Sequence, residues 1–272
     1  MTLSDLLPAL QPFVAHLVKV WPAYDIKANF AIWEVFHIVS VLTLGGASAL
    51  VSLRILGVGL VERPIKETYR GVSRLITIGL VATTISGLLI GMANAERLYD
   101  SAAFLAKFIA LIGGIVLSFK VLGPVALNEP RSDTRLWAGL GLGLWALSVL
   151  ILATGGLVTP GLLHVLSAGS LIVLVVVQGR TRWLYGAGCL VILAAMSVAT
   201  NLLFKPEDMA SIDMANIVLS GVWLAWVLGF AVVRGRAIIK DGGPSTFAQT
   251  IAYAQILVWV TAAAGGRWIA FA

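Results

Sequence analysis

The chain has 272 residues, 59% of them hydrophobic and 12% charged, with a formal net charge of +6 and a mean hydropathy of +0.97. That composition excludes a soluble domain built around one packed core and points to an all-α polytopic transmembrane helical bundle. The single cysteine, Cys189, excludes an intramolecular disulfide and a thiolate metal cluster.

The opening run Met1-Thr2-Leu3-Ser4-Asp5 lacks the basic start and cleavage site of a signal peptide, so the N-terminus is expected to be retained. From Leu3 to Tyr24, Leu6, Leu7, Leu10, Phe13, Val14 and Leu17 recur at helical spacing. They predict an N-terminal amphipathic helix lying in the membrane interface, broken near Pro12 and ended near Pro22. This segment, residues 1–27, precedes a single integral membrane domain over 28–272.

A bilayer core of about 30 Å needs about 20 apolar residues per helix. On that measure eight spans are predicted, near 30–56, 73–94, 102–124, 136–156, 160–178, 182–204, 213–234 and 249–271. Thirteen of the nineteen Lys and Arg residues fall in the odd-numbered connections, among them Arg63, Lys66 and Arg70. The positive-inside rule then puts both termini outside a bacterial inner membrane, in the periplasm. This asymmetry accounts for the basic charge, so no nucleic-acid partner is implied; the partner expected throughout is the lipid bilayer.

Ionisable groups within apolar spans are costly and mark functional sites by default. His37 is one such group, inside Trp33-Glu34-Val35-Phe36-His37 and about 10 Å deep at about 1.5 Å per residue. The topology sets His37, His164 and His16 all toward the outer side, together with Met92, Met209 and Met214. Two helical histidines at similar depth supply the axial ligands of a haem b, so His37 and His164 are its candidate ligands. Small residues support this: Gly45, Ser48 and Ser52 share a face with His37, and Gly161, Ser167 and Ala168 flank His164. The same small residues also serve close helix packing. Glu34, one turn before His37, either orients the imidazole or pairs with Lys107.

Copper is the alternative metal, with Met209 and Met214 joining His16, His37 or His164 as thioether and imidazole ligands. Other motifs reduce to packing: Gly139, Gly141 and Gly143 lie inside a span with no preceding strand, and Gly87 with Gly91 forms a small-xxx-small pair. No catalytic triad, carboxylate pair or phosphate loop is present to argue for hydrolysis or phosphoryl transfer.

The first 125 or so residues carry a set of motifs: Glu34-Val35-Phe36-His37, Ser52-Leu53-Arg54-Ile55-Leu56-Gly57, Thr84-Ile85-Ser86-Gly87-Leu88-Leu89, and Tyr99 followed by Phe104 and Lys107. These resemble poorly characterised bacterial inner-membrane proteins related to the copper-resistance protein CopD. The resemblance implies a helical membrane bundle with a haem or copper role, and it carries over His37. This chain has Phe119-Lys120 where such relatives often have a second histidine.

Phe36-His37-Ile38-Val39-Ser40 is echoed by Leu163-His164-Val165-Leu166-Ser167, each opening an outer-to-inner helix. A duplicated four-helix unit, 28–127 and 134–272, would place the two histidines in equivalent positions. Three functional expectations follow: a haem-b or metal-linked redox component serving a periplasmic redox protein, a copper transport protein, or a cofactor-free accessory subunit of a larger respiratory or photosynthetic membrane complex.

Overall fold

The computed structural model describes residues 1–128, 132–154, 179–205, 207–240 and 244–269. The described residues are helical and contain no strand. Short helices α1 (Leu3–Leu6), α2 (Gln11–Leu17) and α3 (Ala23–Ala28) come first. Next are α4 (Phe30–Ile55), α5 (Ile65–Ala93), the short α6 (Ala95–Tyr99) and α7 (Ala102–Val116). A π-helical turn over Leu117–Leu122 joins α7 to α8 (Gly123–Leu127). The last four are α9 (Thr134–Thr154), α10 (Thr181–Val198), α11 (Met209–Lys240) and α12 (Thr246–Trp268). Among the described residues seven helices are long and apolar enough to cross a membrane, which marks a polytopic membrane protein. Lipid offers no partner to a bare backbone, so each span satisfies its own peptide groups. The fifth expected span, 160–178, and His164 lie outside the described residues.

The N-terminal segment differs from the single helix expected. The chain breaks at Leu7, while Pro12 sits in the first turn of α2, where its missing N–H costs nothing. Pro22 starts α3 rather than ending a helix. The second span begins at Ile65, not 73, because the basic stretch from Lys66 to Arg74 continues the helix beyond its apolar part. Gly57, at φ 73°, ends α4 in the left-handed conformation that glycine takes without strain. Ser101 and Ser245 cap α7 and α12 by accepting the N–H groups of Phe104 and Ala248, each at 3.2 Å. The π-turn precedes Pro124, which has no N–H to continue an α-helical ladder; Gly123 N–H instead reaches back five residues to the Ser118 carbonyl.

The last helix is the centre of the bundle: α12 packs against α4, α7, α9 and α11. It is the most buried of the seven spans and among the least apolar. In lipid this inversion is expected, since the most apolar faces turn outward; Ile78, Val81, Ile85 and Leu88 of α5 are all exposed. Close helix approach rests on particular glycines. A Cβ at Gly79 would lie 2.6 Å from the Leu44 nitrogen, and one at Gly141 2.6 Å from Leu117 Cγ. Gly141 therefore explains part of the Gly139-to-Gly143 run, while Gly139 and Gly143 border open space. The packing pair expected at Gly87 and Gly91 is not formed: nothing lies within 4 Å of a Cβ built on Gly91, and Gly87 faces the His37 ring.

Candidate functional site

His37 opens the third turn of α4, half-buried between neighbouring helices. Its Nδ1 is 2.8 Å from Ser86 Oγ on α5, and its Nε2 is 3.5 Å from Lys107 Nζ on α7. Ser86 Oγ is also 2.6 Å from the Ala82 carbonyl oxygen. Two oxygens that close need a proton between them, and a carbonyl supplies none, so the Ser86 hydroxyl donates to Ala82. Ser86 must then accept from His37, which places the imidazole proton on Nδ1. The lone pair is left on Nε2, turned toward Lys107.

Two glycine surfaces give these side chains their room. A Cβ at Gly87 would stand 3.2 Å from His37 Cε1, and one at Gly266 would stand 3.2 Å from Lys107 Nζ. Gly265 lies against the Lys107 backbone, its would-be Cβ 3.3 Å from Cα. The C-terminal turn of α12 thus forms the wall along which the lysine extends. Glu34 is exposed one turn before His37; its carboxylate bears electrostatically on Lys107, but the two side chains do not close into an ion pair. Of the two roles expected for Glu34, orientation of the imidazole falls instead to Ser86, and the near neighbour of Lys107 is His37.

The site sits at the bundle end where the N-terminal segment packs. Tyr99 donates its hydroxyl proton to the Leu7 carbonyl, and Arg97 Nη2 donates to the Ile269 carbonyl at 2.8 Å, tying α6 to α1 and to the end of α12. His16 is exposed on α2, which packs against α6. Met209 and Met214 are exposed on α11, which packs against α9, α10 and α12. Among the described residues no three of His, Cys, Asp and Glu converge.

A ligating histidine holds its far N–H on an acceptor and presents the other nitrogen's lone pair. His37 meets both conditions, so the residues present fit one imidazole ligand. Lys107 occupies the direction of that lone pair and has to give way to a bound metal. Sequence reasoning reached His37, Glu34 and Lys107 but not the anchoring role of Ser86. The available signal was a hydroxyl directly before glycine in the apolar C-terminal half of α5.

Residues 12–158, more than half of the chain, match the model of a family of unknown function (DUF6644). No curated protein and no solved structure matches the chain.

Proposed function

The chain belongs to the DUF6644 family, and we propose that it is an integral-membrane redox component in which His37 holds a metal-centred group, haem b first, through Nε2. The observation that supports this is the proton order of the site: Nδ1–H donates to Ser86, whose own proton is committed to Ala82. That order fixes the tautomer and the ring plane before any ligand arrives. Bound haem would supply one-electron transfer. The chain's part is to hold the imidazole, to set a cation beside it at Lys107, and to keep the ring uncrowded at Gly87. His164 is the proposed second ligand and Glu34 the outer electrostatic partner of Lys107. The resemblance to CopD-related proteins is consistent with a haem or copper role. Copper has less support, because Met209 and Met214 are exposed on a helix packed away from α2.

The basic odd-numbered connections support a bacterial inner-membrane orientation with both termini periplasmic, so that the His37 end faces the periplasm. A reduced-minus-oxidised optical spectrum of the protein purified in mild detergent tests the redox reading. A paired-imidazole haem signal near one per chain is expected, and His37→Ala should remove it while leaving membrane insertion intact. A featureless spectrum rejects haem in the isolated chain.

A further inference from the structure

Below the His37 site, buried polar atoms continue toward the other end of the bundle in an order that α4 defines. At the His37 level stands Ser86; one turn deeper on α5, Thr83 Oγ1 is buried with no hydrogen-bond partner among the described residues. At the Leu44–Gly45 level the indole of Trp259 fills the space between Gly45 and Gly114, and its Nε1–H also has no partner among them. At the Ser48 level Gln255 Nε2 donates to Ser118 Oγ at 2.7 Å and to the Gly114 carbonyl at 3.3 Å, and Ser118 lies 3.1 Å from Ser48 Oγ. Gln255 Oε1 is unpartnered among the described residues. At the Ile55 level Gln249 Nε2 donates to the Ile55 carbonyl at 2.9 Å, and Gln249 Oε1 is likewise unpartnered.

From His37 to Ile55 is about 27 Å at about 1.5 Å per residue, close to a bilayer core of about 30 Å. Four orphaned atoms of well-buried side chains along that length each carry an unrelieved desolvation cost if left dry. The π-turn lies against this line, with Ser118 in it, and such turns recur at functional sites. Packing alone explains serines bonded to their own helix, but not two fully buried glutamines with open acceptors.

We propose that Thr83, Trp259, Gln255 and Gln249 hold a file of water between α4, α5, α7 and α12, and that the chain conducts protons along it between the His37–Lys107 end and the Ile55 end. Each transfer exchanges one O–H bond for another, with a proton entering at one end and leaving at the other, and needs no oxidant or reductant. The Trp259 indole only donates, so the relay passes it through water. The inference shares His37 with the redox reading but needs no metal at Nε2.

The test is proton uptake by proteoliposomes holding the full chain, with pyranine inside and a potassium–valinomycin potential across the membrane. Lumenal acidification well above protein-free vesicles is expected. Trp259→Phe, which removes the N–H together with part of the ring system, and Gln255→Leu should each lower the rate at least tenfold, with folding checked by elution profile and thermal midpoint. A wild-type rate equal to that of protein-free vesicles overturns the proposal. So does a full rate in a folded Trp259→Phe protein. Flux without a haem spectrum leaves this inference standing and rejects only the redox reading; a haem spectrum without flux does the reverse.

Discussion

Gly87 of α5 faces the His37 ring of α4, and a Cβ built on it falls 3.2 Å from Cε1 and 3.8 Å from Nδ1. The imidazole is therefore seated against bare backbone. Gly87→Ala asks the ring to yield by a few tenths of an ångström. Gly87→Val adds bulk that the ring has to escape by leaving Ser86, losing a hydrogen bond with a net value of about 0.5–1.5 kcal/mol. We expect Ala to change unfolding in detergent little and Val to lower the thermal midpoint clearly. Equal behaviour of the two variants would show that the ring is not confined there.

Ser86→Ala removes the acceptor of His37 Nδ1–H while leaving the ring's space intact. If Nε2 ligates a metal, loss of this orienting partner should weaken metal or haem retention about 10–100-fold, as loss of outer-shell partners typically does. The readout is cofactor content after a fixed dialysis. Retention equal to wild type would remove Ser86 from any role in ligation.

Gly79→Ala tests the α4–α5 contact. Its new methyl would stand 2.6 Å from the Leu44 nitrogen, a backbone atom that moves only with its helix. Overpacking of this kind costs about 1–3 kcal/mol. Gly46→Ala is the control, because nothing lies within 4 Å of a Cβ there. The first variant should unfold at lower denaturant than wild type and the second should match it or exceed it; the reverse order would contradict this helix contact.

The class of fold was legible because long apolar runs leave a bilayer-bound chain little choice but helix. What the sequence concealed was which helix lies inside. Gln249, Gln255 and Thr261 make α12 less apolar than α5, and a water-soluble logic would put it outside; in lipid the same residues draw it to the centre. Gly79 and Gly87 look alike in sequence, yet one meets a helix backbone and the other an imidazole, a difference set by the α4–α5 crossing. His37 was visible as an ionisable group among apolar neighbours. Ser86 was not, since its role depends on a contact 49 residues away. The Pro12 break was misplaced because proline disrupts a helix interior but suits a first turn.

The orientation is open to direct chemical reading. Glu62 lies in the connection between α4 and α5, and Asp100 lies between α6 and α7; both are exposed, at opposite ends of helices that run antiparallel. Cys189 is buried, so Cys189→Ala gives a thiol-free background at little risk of confusion. In that background we expect Asp100→Cys to react with a membrane-impermeant maleimide on intact spheroplasts, and Glu62→Cys to react only after lysis. The positive charge is local: Arg54 and Arg63, with Lys66 and Arg70, crowd the Glu62 end, and the Arg54 Nε–H donates to the Arg63 carbonyl, which holds that turn together. Labelling of Glu62→Cys on intact spheroplasts, with Asp100→Cys protected, would invert the bundle. It would put the His37–Lys107 end on the cytoplasmic face, and a periplasmic redox partner would no longer be within reach of the site.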